Sequence, residues 1–287
     1  MAQGKNVILL GNFDGVHIGH QALISAGLDL ARSRGLCLKV WTFDSVFSAA
    51  ITDTAERVRL LKSYGVDEVL LESFEKVKGY SPEHFVKKVL CDELEAAVCV
   101  CGYNYSFGAR GAGTPELLKE LCGHYGIETV TVAKVEKNGA EVSSSAIRAR
   151  LACGDVAMAS ELLGRRYTLS GVVEDGNKKG RKVGMPTANL YFEGKRLLPK
   201  NGVYATITHI EDGRAYPSVT NVGVRPTLDD GRGLSVETHI IGVEAELYFK
   251  TVSVEFLAFI REEIKFASLD ELSKQVKEDI KNCKKYF

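Results

Sequence analysis

A glycine-rich turn between a short apolar run and an amphipathic segment is the feature that most constrains this chain. Residues 7–10 are Val-Ile-Leu-Leu, which predicts a short buried strand, and three glycines follow within nine residues. From Gln21 onward the apolar residues recur at helical spacing. A strand that turns into a helix in this way presents free backbone N–H groups and the positive end of a helix dipole. The sequence therefore predicts a phosphate site at the turn.

Polar side chains accompany the glycines of this turn. His17 and His20 lie three residues apart at the start of the predicted helix, so both can reach one anion, and Asn12 and Asp14 precede them. A simpler alternative is a tight strand–helix turn whose histidines are ordinary surface residues. Two histidines that bracket a glycine at a helix start favour the phosphate site over that alternative.

Length and charge limit the class of protein. With 287 residues the chain exceeds one average domain, so we expect two. Lys and Arg number 37 together, as do Asp and Glu, and this balance favours neither nucleic acid nor an anionic membrane as a partner. No apolar run of about 18 residues occurs, and residues 1–10 are too short for a signal peptide, so we expect a cytoplasmic protein. The seven cysteines form no Cys-x-x-Cys pair, which argues against a zinc site and fits a reducing compartment.

The pattern of predicted elements changes near residue 164. Before it, strands alternate with helices, which indicates βαβ units around a parallel sheet. The predicted strands lie at 36–43, 66–71, 96–101 and 127–135, and the predicted helices at 54–64, 82–94 and 115–125. After it, strand-like runs follow one another until a last amphipathic helix, whose start at Ser268-Leu269-Asp270-Glu271 has the form of a capping box. We therefore predict an α/β domain over residues 1–164 and an antiparallel barrel or sandwich over residues 165–287.

The segment 102–108 follows a predicted strand, at the sheet edge where ligands bind in parallel α/β folds. Asn104, Tyr105 and Phe107 lie there between two glycines. The glycines permit close backbone approach, and the aromatic rings could stack on a ligand ring. A plain loop is an equally good interpretation of these residues.

A serine run reaches the same edge. Ser143, Ser144 and Ser145 precede a predicted helix, and Arg148 lies one turn further on. The three hydroxyls could simply cap the helix, or they could hold phosphate oxygens together with the arginine.

The segment 171–190 is the richest in glycine and lysine, and Gly180 and Lys182 belong to it. It is either a long loop between two strands or a phosphate-holding flap followed by a rigid Pro-Thr-Ala-Asn turn. Thr187 and Asn189 are two residues apart, so on an extended segment both oxygens face one side and can ligate Mg²⁺. From the residues alone the plain loop is preferred.

The first-half motifs resemble a known family. Gly11-Asn12-Phe13-Asp14-Gly15-Val16-His17-Ile18-Gly19-His20 is similar to the His-x-Gly-His signature of the nucleotidyltransferases, in the form of their FAD synthetase branch. Gly102-Tyr103-Asn104-Tyr105-Ser106-Phe107-Gly108 and Val142-Ser143-Ser144-Ser145-Ala146-Ile147-Arg148 resemble two further segments of that branch, in the same order.

The resemblance implies roles for these residues. His17, His20 and Arg148 would stabilise the charge that develops when an α-phosphate is attacked and pyrophosphate leaves. ATP and its phosphates would be bound by Gly11, Asn12, Asp14, Gly19, Asn104, Ser143, Ser144 and Ser145. Tyr105 and Phe107 would belong to the flavin pocket.

The second half resembles the riboflavin kinases. Gly184-Met185-Pro186-Thr187-Ala188-Asn189-Leu190 is similar to their Pro-Thr-Ala-Asn motif, and the segments 221–227, 236–240 and 259–266 resemble three more of their motifs. The resemblance implies that Glu237 is the general base toward a ribityl hydroxyl, and that Thr187 and Asn189 bind Mg²⁺ and ATP. It also places Gly180 and Lys182 against phosphate, and Asn221 and Arg225 in the flavin and nucleotide walls.

Together the two halves resemble the prokaryotic bifunctional riboflavin kinase/FAD synthetases over essentially the whole chain. The implied fold is a Rossmann-like nucleotidyltransferase domain with a parallel sheet, followed by an antiparallel β-barrel kinase domain with a terminal helix. The implied substrates are ATP, riboflavin and FMN, with Mg²⁺ as the cofactor.

One departure from the family keeps two alternatives open. Family members carry Thr-Phe-Glu-Pro-His-Pro after the second strand, and this chain has Thr42-Phe43-Asp44-Ser45-Val46-Phe47. That change favours a riboflavin kinase with a degenerate first domain as the runner-up. A flavin-binding sensor without turnover is the third hypothesis, and the presence of both motif sets argues against it.

Overall fold

The computed structural model describes residues 5–44, 49–174, 187–192, 196–224, 234–242 and 247–287, apart from the side chains of residues 224, 234 and 269. The chain divides into two compact units, Met1–Ser144 and Ser145–Phe287. In this division the two helices that precede residue 164 group with the second unit.

The first unit is built on a parallel sheet. Its elements are β1 (Asn6–Leu10), α1 (Ile18–Arg34), β2 (Cys37–Phe43), α2 (Thr54–Ser63), β3 (Glu68–Glu72), α3 (Phe74–Val77), α4 (Pro82–His84) continuing as a π-helix (Phe85–Glu93), β4 (Ala96–Gly102), a 3₁₀ turn (Ala109–Gly111), α5 (Pro115–His124), β5 (Glu128–Val132), β6 (Glu136–Lys137) and β7 (Ala140–Glu141). The strand order is β3-β2-β1-β4-β5, and every neighbouring pair is parallel. The predicted α/β fold with a parallel sheet is therefore confirmed.

Strand β1 lies at the centre of this sheet and is buried along its whole length. Its side chains alternate between two apolar clusters, as the period of a strand requires. Ile8 and Leu10 pack with the π-helix and α5, whereas Val7 and Leu9 pack with α1 and α2. The sheet is thus covered on both faces, and the turn after Leu10 leaves it at the carboxyl edge.

Three local features of this unit differ from the predictions. Helix α1 begins at Ile18 rather than at Gln21, because His17 is its N-cap and accepts a hydrogen bond from His20 N–H. The predicted helix over 82–94 is α-helical only in its first turn and continues as a π-helix, whose wider turn brings Phe85, Val86, Val89 and Leu90 to the core.

The third difference is the hairpin of β6 and β7, which falls at the end of the predicted strand 127–135. It turns at Asn138 and Gly139, both with positive φ. An Asn-Gly pair is the strongest local signal for a two-residue hairpin, so the sequence did contain the information.

The second unit is a closed antiparallel barrel flanked by helices. Its elements are α6 (Ser144–Ala152, which starts at the division), α7 (Val156–Leu163), β8 (Thr168–Glu174), β9 (Ala188–Tyr191), β10 (Gly202–Ile210), β11 (Ala215–Val224), β12 (Leu234–Ile240), β13 (Thr251–Arg261), α8 (Leu269–Cys283) and a last 3₁₀ turn (Lys284–Tyr286). The barrel closes in the order β10-β11-β12-β9-β8-β13. The predicted barrel is confirmed, and Ala188 and Asn189 of the Pro-Thr-Ala-Asn segment, which one alternative made a rigid turn, begin its strand β9.

Hydroxyl groups fill part of the barrel interior. Thr220 Oγ1 donates to Thr238 Oγ1 at 2.8 Å and shares a hydrogen bond with Thr206 Oγ1 at 2.7 Å, and Ser218 Oγ donates to Thr208 Oγ1 at 2.7 Å. All five side chains are inaccessible to solvent. Because each buried hydroxyl has a partner on another strand, the network specifies the register of β10, β11 and β12.

Helix α8 docks on the outside of the barrel through an apolar stripe and one ion pair. Ile280 and Cys283 pack with Val203 and Val219. Arg261, the last residue of β13, donates through Nε and Nη2 to the Asp279 carboxylate at 2.8 and 2.6 Å. Asp279 is only 2% exposed, so this two-pronged contact fixes where the chain goes after β13.

We predict that the helices before residue 165 are needed for the barrel unit to be stable. Helix α7 contacts β13, and Ser160 Oγ accepts a hydrogen bond from Tyr167 N–H at 3.1 Å. Val156, Ala159 and Leu162 are buried, and a fully buried aliphatic side chain contributes about 1.5–3 kcal/mol. A fragment of residues 165–287 should therefore unfold at a temperature roughly 10 °C or more below that of residues 145–287.

Circular dichroism during heating measures both fragments, and the full chain is the control. Equal unfolding temperatures for the two fragments would show that α6 and α7 do not belong to the barrel's cooperative unit.

Candidate functional site

The turn between β1 and α1 has an unusual backbone. Phe13, Gly15 and Val16 have φ values of 51°, 84° and 38°. Glycine adopts such a conformation freely, but a β-branched valine does so only when its surroundings impose it. Strained backbone of this kind concentrates at functional sites, where it holds groups ready for a ligand.

A buried carboxylate holds the turn in this shape. Asp14 Oδ1 accepts hydrogen bonds from the backbone N–H groups of Ile51 at 3.0 Å and Thr52 at 3.2 Å. Thr52 Oγ1 in turn accepts from Gly15 N–H at 3.0 Å. Asp14 is 3% exposed, so its carboxylate faces the protein interior and orients the turn.

The two predicted histidines stack on each other. The rings of His17 and His20 have centroids 3.7 Å apart and planes 19° apart, and the Phe13 ring lies 4.9 Å from that of His20. His17 is buried, which contradicts the alternative of ordinary surface histidines. Gly19 is required by this stack, because a Cβ there would lie 3.0 Å from His17 Nδ1.

The protonation of the pair follows from its contacts. His17 Nδ1 accepts from His20 N–H at 3.3 Å, so a neutral His17 ring carries its proton on Nε2. Burial, His17 and the Arg57 guanidinium hold the pKa of His20 well below its usual range. His20 Nδ1 is buried and has no hydrogen-bond partner among the described residues. A neutral imidazole offers one N–H donor to an anion.

Arg57 is the residue of this region that sequence reasoning missed. It lies on α2, is 1% exposed, and donates through Nη1 to the carbonyl of Asn12 at 3.2 Å and through Nη2 to that of Phe43 at 2.6 Å. Thr42 Oγ1 donates to the same Asn12 carbonyl at 3.2 Å. An exposed-looking charge on a helix gives no local sign of this contact, because Asn12 is 45 residues away.

The serine run contacts this turn. Ser144 Oγ, which belongs to the first unit, donates to the Asp14 carbonyl at 2.8 Å. Ser143 precedes α6, Ser145 is exposed, and Arg148 lies one turn further along that helix.

The aromatic segment after β4 is only partly accessible. Phe107 is buried in the sheet core, and its ring is parallel to that of Tyr105 at 5.9 Å. Gly113 leaves room for it, because a Cβ there would lie 2.4 Å from the Phe107 ring. Asn104 is exposed and Tyr105 half-buried, so Tyr105 is the more accessible of the two rings.

In the second unit the barrel register brings the predicted kinase residues into one row. Asn221 on β11 pairs with Glu237 on β12, which pairs with Asn189 on β9. Asn189 also pairs with Glu174 on β8. Because paired residues of neighbouring strands point to the same face, all four lie on one line across the barrel surface, and Glu174 is a member that sequence reasoning missed.

The donor set at this row suits a hard divalent cation. Thr187 precedes β9 and shares the face of Asn189, since the two are two residues apart on an extended chain. Hydroxyl, amide and carboxylate oxygens are the ligands that Mg²⁺ prefers. Within the described part of the chain, no group of three or more His, Cys, Asp and Glu side chains could hold a metal by itself.

A segment after β13 covers the other end of the row. Asn221 Nδ2 donates to Glu263 Oε1 at 3.2 Å. Gly223 permits this approach, because a Cβ there would lie 2.1 Å from Glu263 Oε1. The predicted residues Gly180, Lys182 and Arg225 lie outside the described residues, as do Ser45, Val46 and Phe47 of the loop that departs from the family pattern.

None of the helices in the described part of the chain is both long enough and apolar enough to cross a bilayer.

Comparison with known proteins identifies both units. The FAD synthetase family model matches residues 1–146, and the riboflavin kinase family model matches residues 163–287. The bifunctional riboflavin kinase/FMN adenylyltransferase of Bacillus subtilis strain 168 is 32% identical over 299 residues, covering 99% of this chain and 93% of that protein. The protein of the same name from Escherichia coli K12 is 33% identical over 291 residues, covering 98% and 92%.

A solved structure agrees over the same length. A Streptococcus pneumoniae protein, described as a macrolide-efflux protein, has a TM-score of 0.89 and 31% identity, covering 100% of this chain and 96% of its own. The fold and the two matches define a two-part transferase of phosphorus-containing groups. The chain belongs to the family of bifunctional riboflavin kinase/FMN adenylyltransferases.

We predict that Gly19→Ala separates the stacked histidines without unfolding the protein. The new methyl group would press on the His17 ring, while the helix itself gains about 1 kcal/mol from replacing glycine. The ring-proton chemical shifts of His17 and His20 should therefore move while the unfolding temperature changes little.

Gly123→Ala in α5 is the matched control, because a Cβ there has open space around it. It should gain the same helix propensity and leave both histidine rings unchanged. Unmoved ring shifts in Gly19→Ala would contradict the packing described for His17.

Proposed function

We propose that this protein makes both flavin cofactors in two steps. Riboflavin and ATP give FMN at the barrel, and FMN with a second ATP gives FAD and pyrophosphate at the α/β unit. The observation that carries this proposal is that each matched region contains its own set of polar residues. The first has the stacked His17 and His20, and the second has Asn221, Glu237 and Asn189 in one row.

The adenylyl transfer relies on charge stabilisation at the strained turn. An FMN phosphate oxygen attacks the α-phosphorus of ATP, and the bond to pyrophosphate breaks without a covalent enzyme intermediate. The N–H donors of His17 and His20, held at the start of α1, meet the negative charge that develops on the phosphate oxygens. We assign Arg148 to the same charge, Ser143, Ser144 and Ser145 to the triphosphate, and Gly11, Asn12, Gly19 and Asn104 to ATP.

The kinase step relies on a base and on positioning. Glu237 takes the proton of the ribityl hydroxyl, whose oxygen forms a bond to the γ-phosphorus while the bond to ADP breaks. Its place beside Asn189 in the register supports this role, because a base must lie next to the group that holds the phosphate. Thr187 and Asn189 would hold Mg²⁺, which neutralises phosphate charge when bound.

The remaining assignments complete the proposal. Tyr105, supported by Phe107, would form a wall of the flavin site in the first unit, and Asn221 with Arg225 would do so in the second. Gly180 and Lys182 would bind phosphate, and for these two and Arg225 the support is the family resemblance. The division into functional domains at residue 164 agrees with a kinase match that begins at residue 163. A cytoplasmic location is supported by the seven cysteines, all of them free thiols.

One assay separates this function from its rivals. The full chain is incubated with riboflavin, ATP and Mg²⁺, and the flavins are separated by chromatography. FAD is the expected product. FMN alone would indicate a kinase with an inactive first unit, and unchanged riboflavin would reject both activities.

We predict that replacing both His17 and His20 by alanine abolishes FAD formation while FMN formation continues. Loss of one preorganised donor costs about 100- to 1,000-fold in rate, and this variant loses two. The rate from supplied FMN to FAD measures the effect, and the kinase rate of the same sample shows that the protein is folded. FAD formation at the parental rate would remove the histidines from the reaction.

We predict that Glu237→Gln lowers riboflavin phosphorylation by at least about 100-fold. The amide keeps the size and a hydrogen bond but cannot take the proton, and general-base assistance is worth about 2.7–5.4 kcal/mol of barrier. Supplied with FMN, the variant should still make FAD as fast as the parent. A kinase rate within a few-fold of the parent would exclude Glu237 as the base, and a parallel fall of both rates would indicate misfolding.

A further inference from the structure

The buried guanidinium of Arg57 links the ends of two strands at the turn between β1 and α1. Arg57 donates to the carbonyl of Phe43, the last residue of β2, and to that of Asn12 in the turn after β1. Strands β1 and β2 are parallel neighbours, so these two carbonyls emerge side by side at the carboxyl edge of the sheet. Two hydrogen bonds from one rigid, planar guanidinium fix the separation of these two carbonyl groups.

Among the described residues, the guanidinium of Arg57 hydrogen-bonds carbonyl groups and no carboxylate. Its Nε is buried and has no partner in the described part of the chain. Burial lowers the pKa of Arg57, and Asp14, Asp44 and Asp53 act from a distance to raise it. An arginine keeps its proton at neutral pH under such conditions, so a full positive charge lies beneath the turn.

His20 is the titratable group that this charge reaches. Burial is the largest cause of its low pKa, followed by His17, stacked on it from the N-cap of α1, and by Arg57 from α2; the Phe13 ring beside it is uncharged. A proton on His20 would place a positive charge beside the His17 ring and near the guanidinium. The guanidinium therefore adds to the effect of burial in disfavouring that proton.

We propose that Arg57 is a positioning residue for the transfer of the adenylyl group. It ties the turn to β2 through the Asn12 and Phe43 carbonyls, and its charge adds to the burial that keeps His20 uncharged beside His17. It acts through the histidines and touches no substrate. The inference rests on the proposed function, and it adds to that function a residue from outside the glycine-rich motif.

The test compares three variants of the full chain: Arg57→Met, Arg57→Lys and the control Arg59→Met. Arg59 lies on the same helix but is exposed. Nuclear magnetic resonance of the histidine rings follows the titration of His20, whose signals are assigned with a His20→Gln variant. Steady-state rates with FMN and ATP, and with riboflavin and ATP, follow the two reactions.

We expect Arg57→Met to raise the pKa of His20 above the parental value, because the nearby positive charge is gone. The kcat of FAD formation should fall by about 10- to 100-fold as the donors move, whereas the kinase rate should stay parental. Arg57→Lys keeps the charge, so it should keep the low pKa of His20 and recover part of the rate. Arg59→Met should match the parent in every measurement.

Two results would overturn the inference. One is an Arg57→Met variant whose His20 titration and FAD rate equal those of Arg59→Met. The other is a folded Arg57→Lys variant in which His20 titrates with its ordinary pKa. The Arg57→Lys measurement also tests the inference if the Arg57→Met variant does not fold. A parent that makes no FAD would reject the proposed function instead, and the His20 titrations would still decide the electrostatic effect of Arg57.

Discussion

The first unit depends on one buried carboxylate. The Asp14 carboxylate accepts hydrogen bonds from the N–H groups of Ile51 and Thr52, and Thr52 Oγ1 accepts one from Gly15 N–H. These hydrogen bonds join the turn after β1 to residues 51 and 52, which lie between β2 and α2. The turn is therefore held in shape by a segment that is distant in sequence. A positive φ at Val16 is costly by itself and persists because the surrounding bonds leave it no alternative. The helix start, its histidine cap and the stacked rings all follow from that constraint.

Local chemistry was visible in the sequence, and contacts across the sheet were not. The spacing of His17, Gly19 and His20 in the chain indicated a phosphate turn. It did not reveal that Gly19 makes room for the His17 ring. Arg57 looked like any helical charge, because its partner carbonyls are distant in sequence. Glu174 could not be found for a similar reason: its place depends on the register between β8 and β9, and between β9 and β12, which residue spacing does not reveal.

The barrel keeps its chemistry and its core on opposite faces of the same strands. Glu237 points outward along the row with Asn189, while the next residue, Thr238, lies inside and bonds to Thr220. A slip of one residue would bury the carboxylate and expose the hydroxyl. The hydroxyls inside the barrel would then lose their hydrogen-bond partners. The interior network therefore stabilises the strand register on which the row of Asn221, Glu237 and Asn189 depends.

The two units also differ in how they avoid pairing with other chains. The barrel is closed, so its strands offer no free edge. The parallel sheet ends in β3 and β5, and these edges carry glutamates: Glu68 pairs with Lys39, and Glu128 with Arg34 at 2.7 Å. A strand added at either edge would have to disturb an ion pair and meet a charge. Self-association of partly unfolded chains should therefore begin only after the barrel opens or these charges are screened, as in concentrated salt.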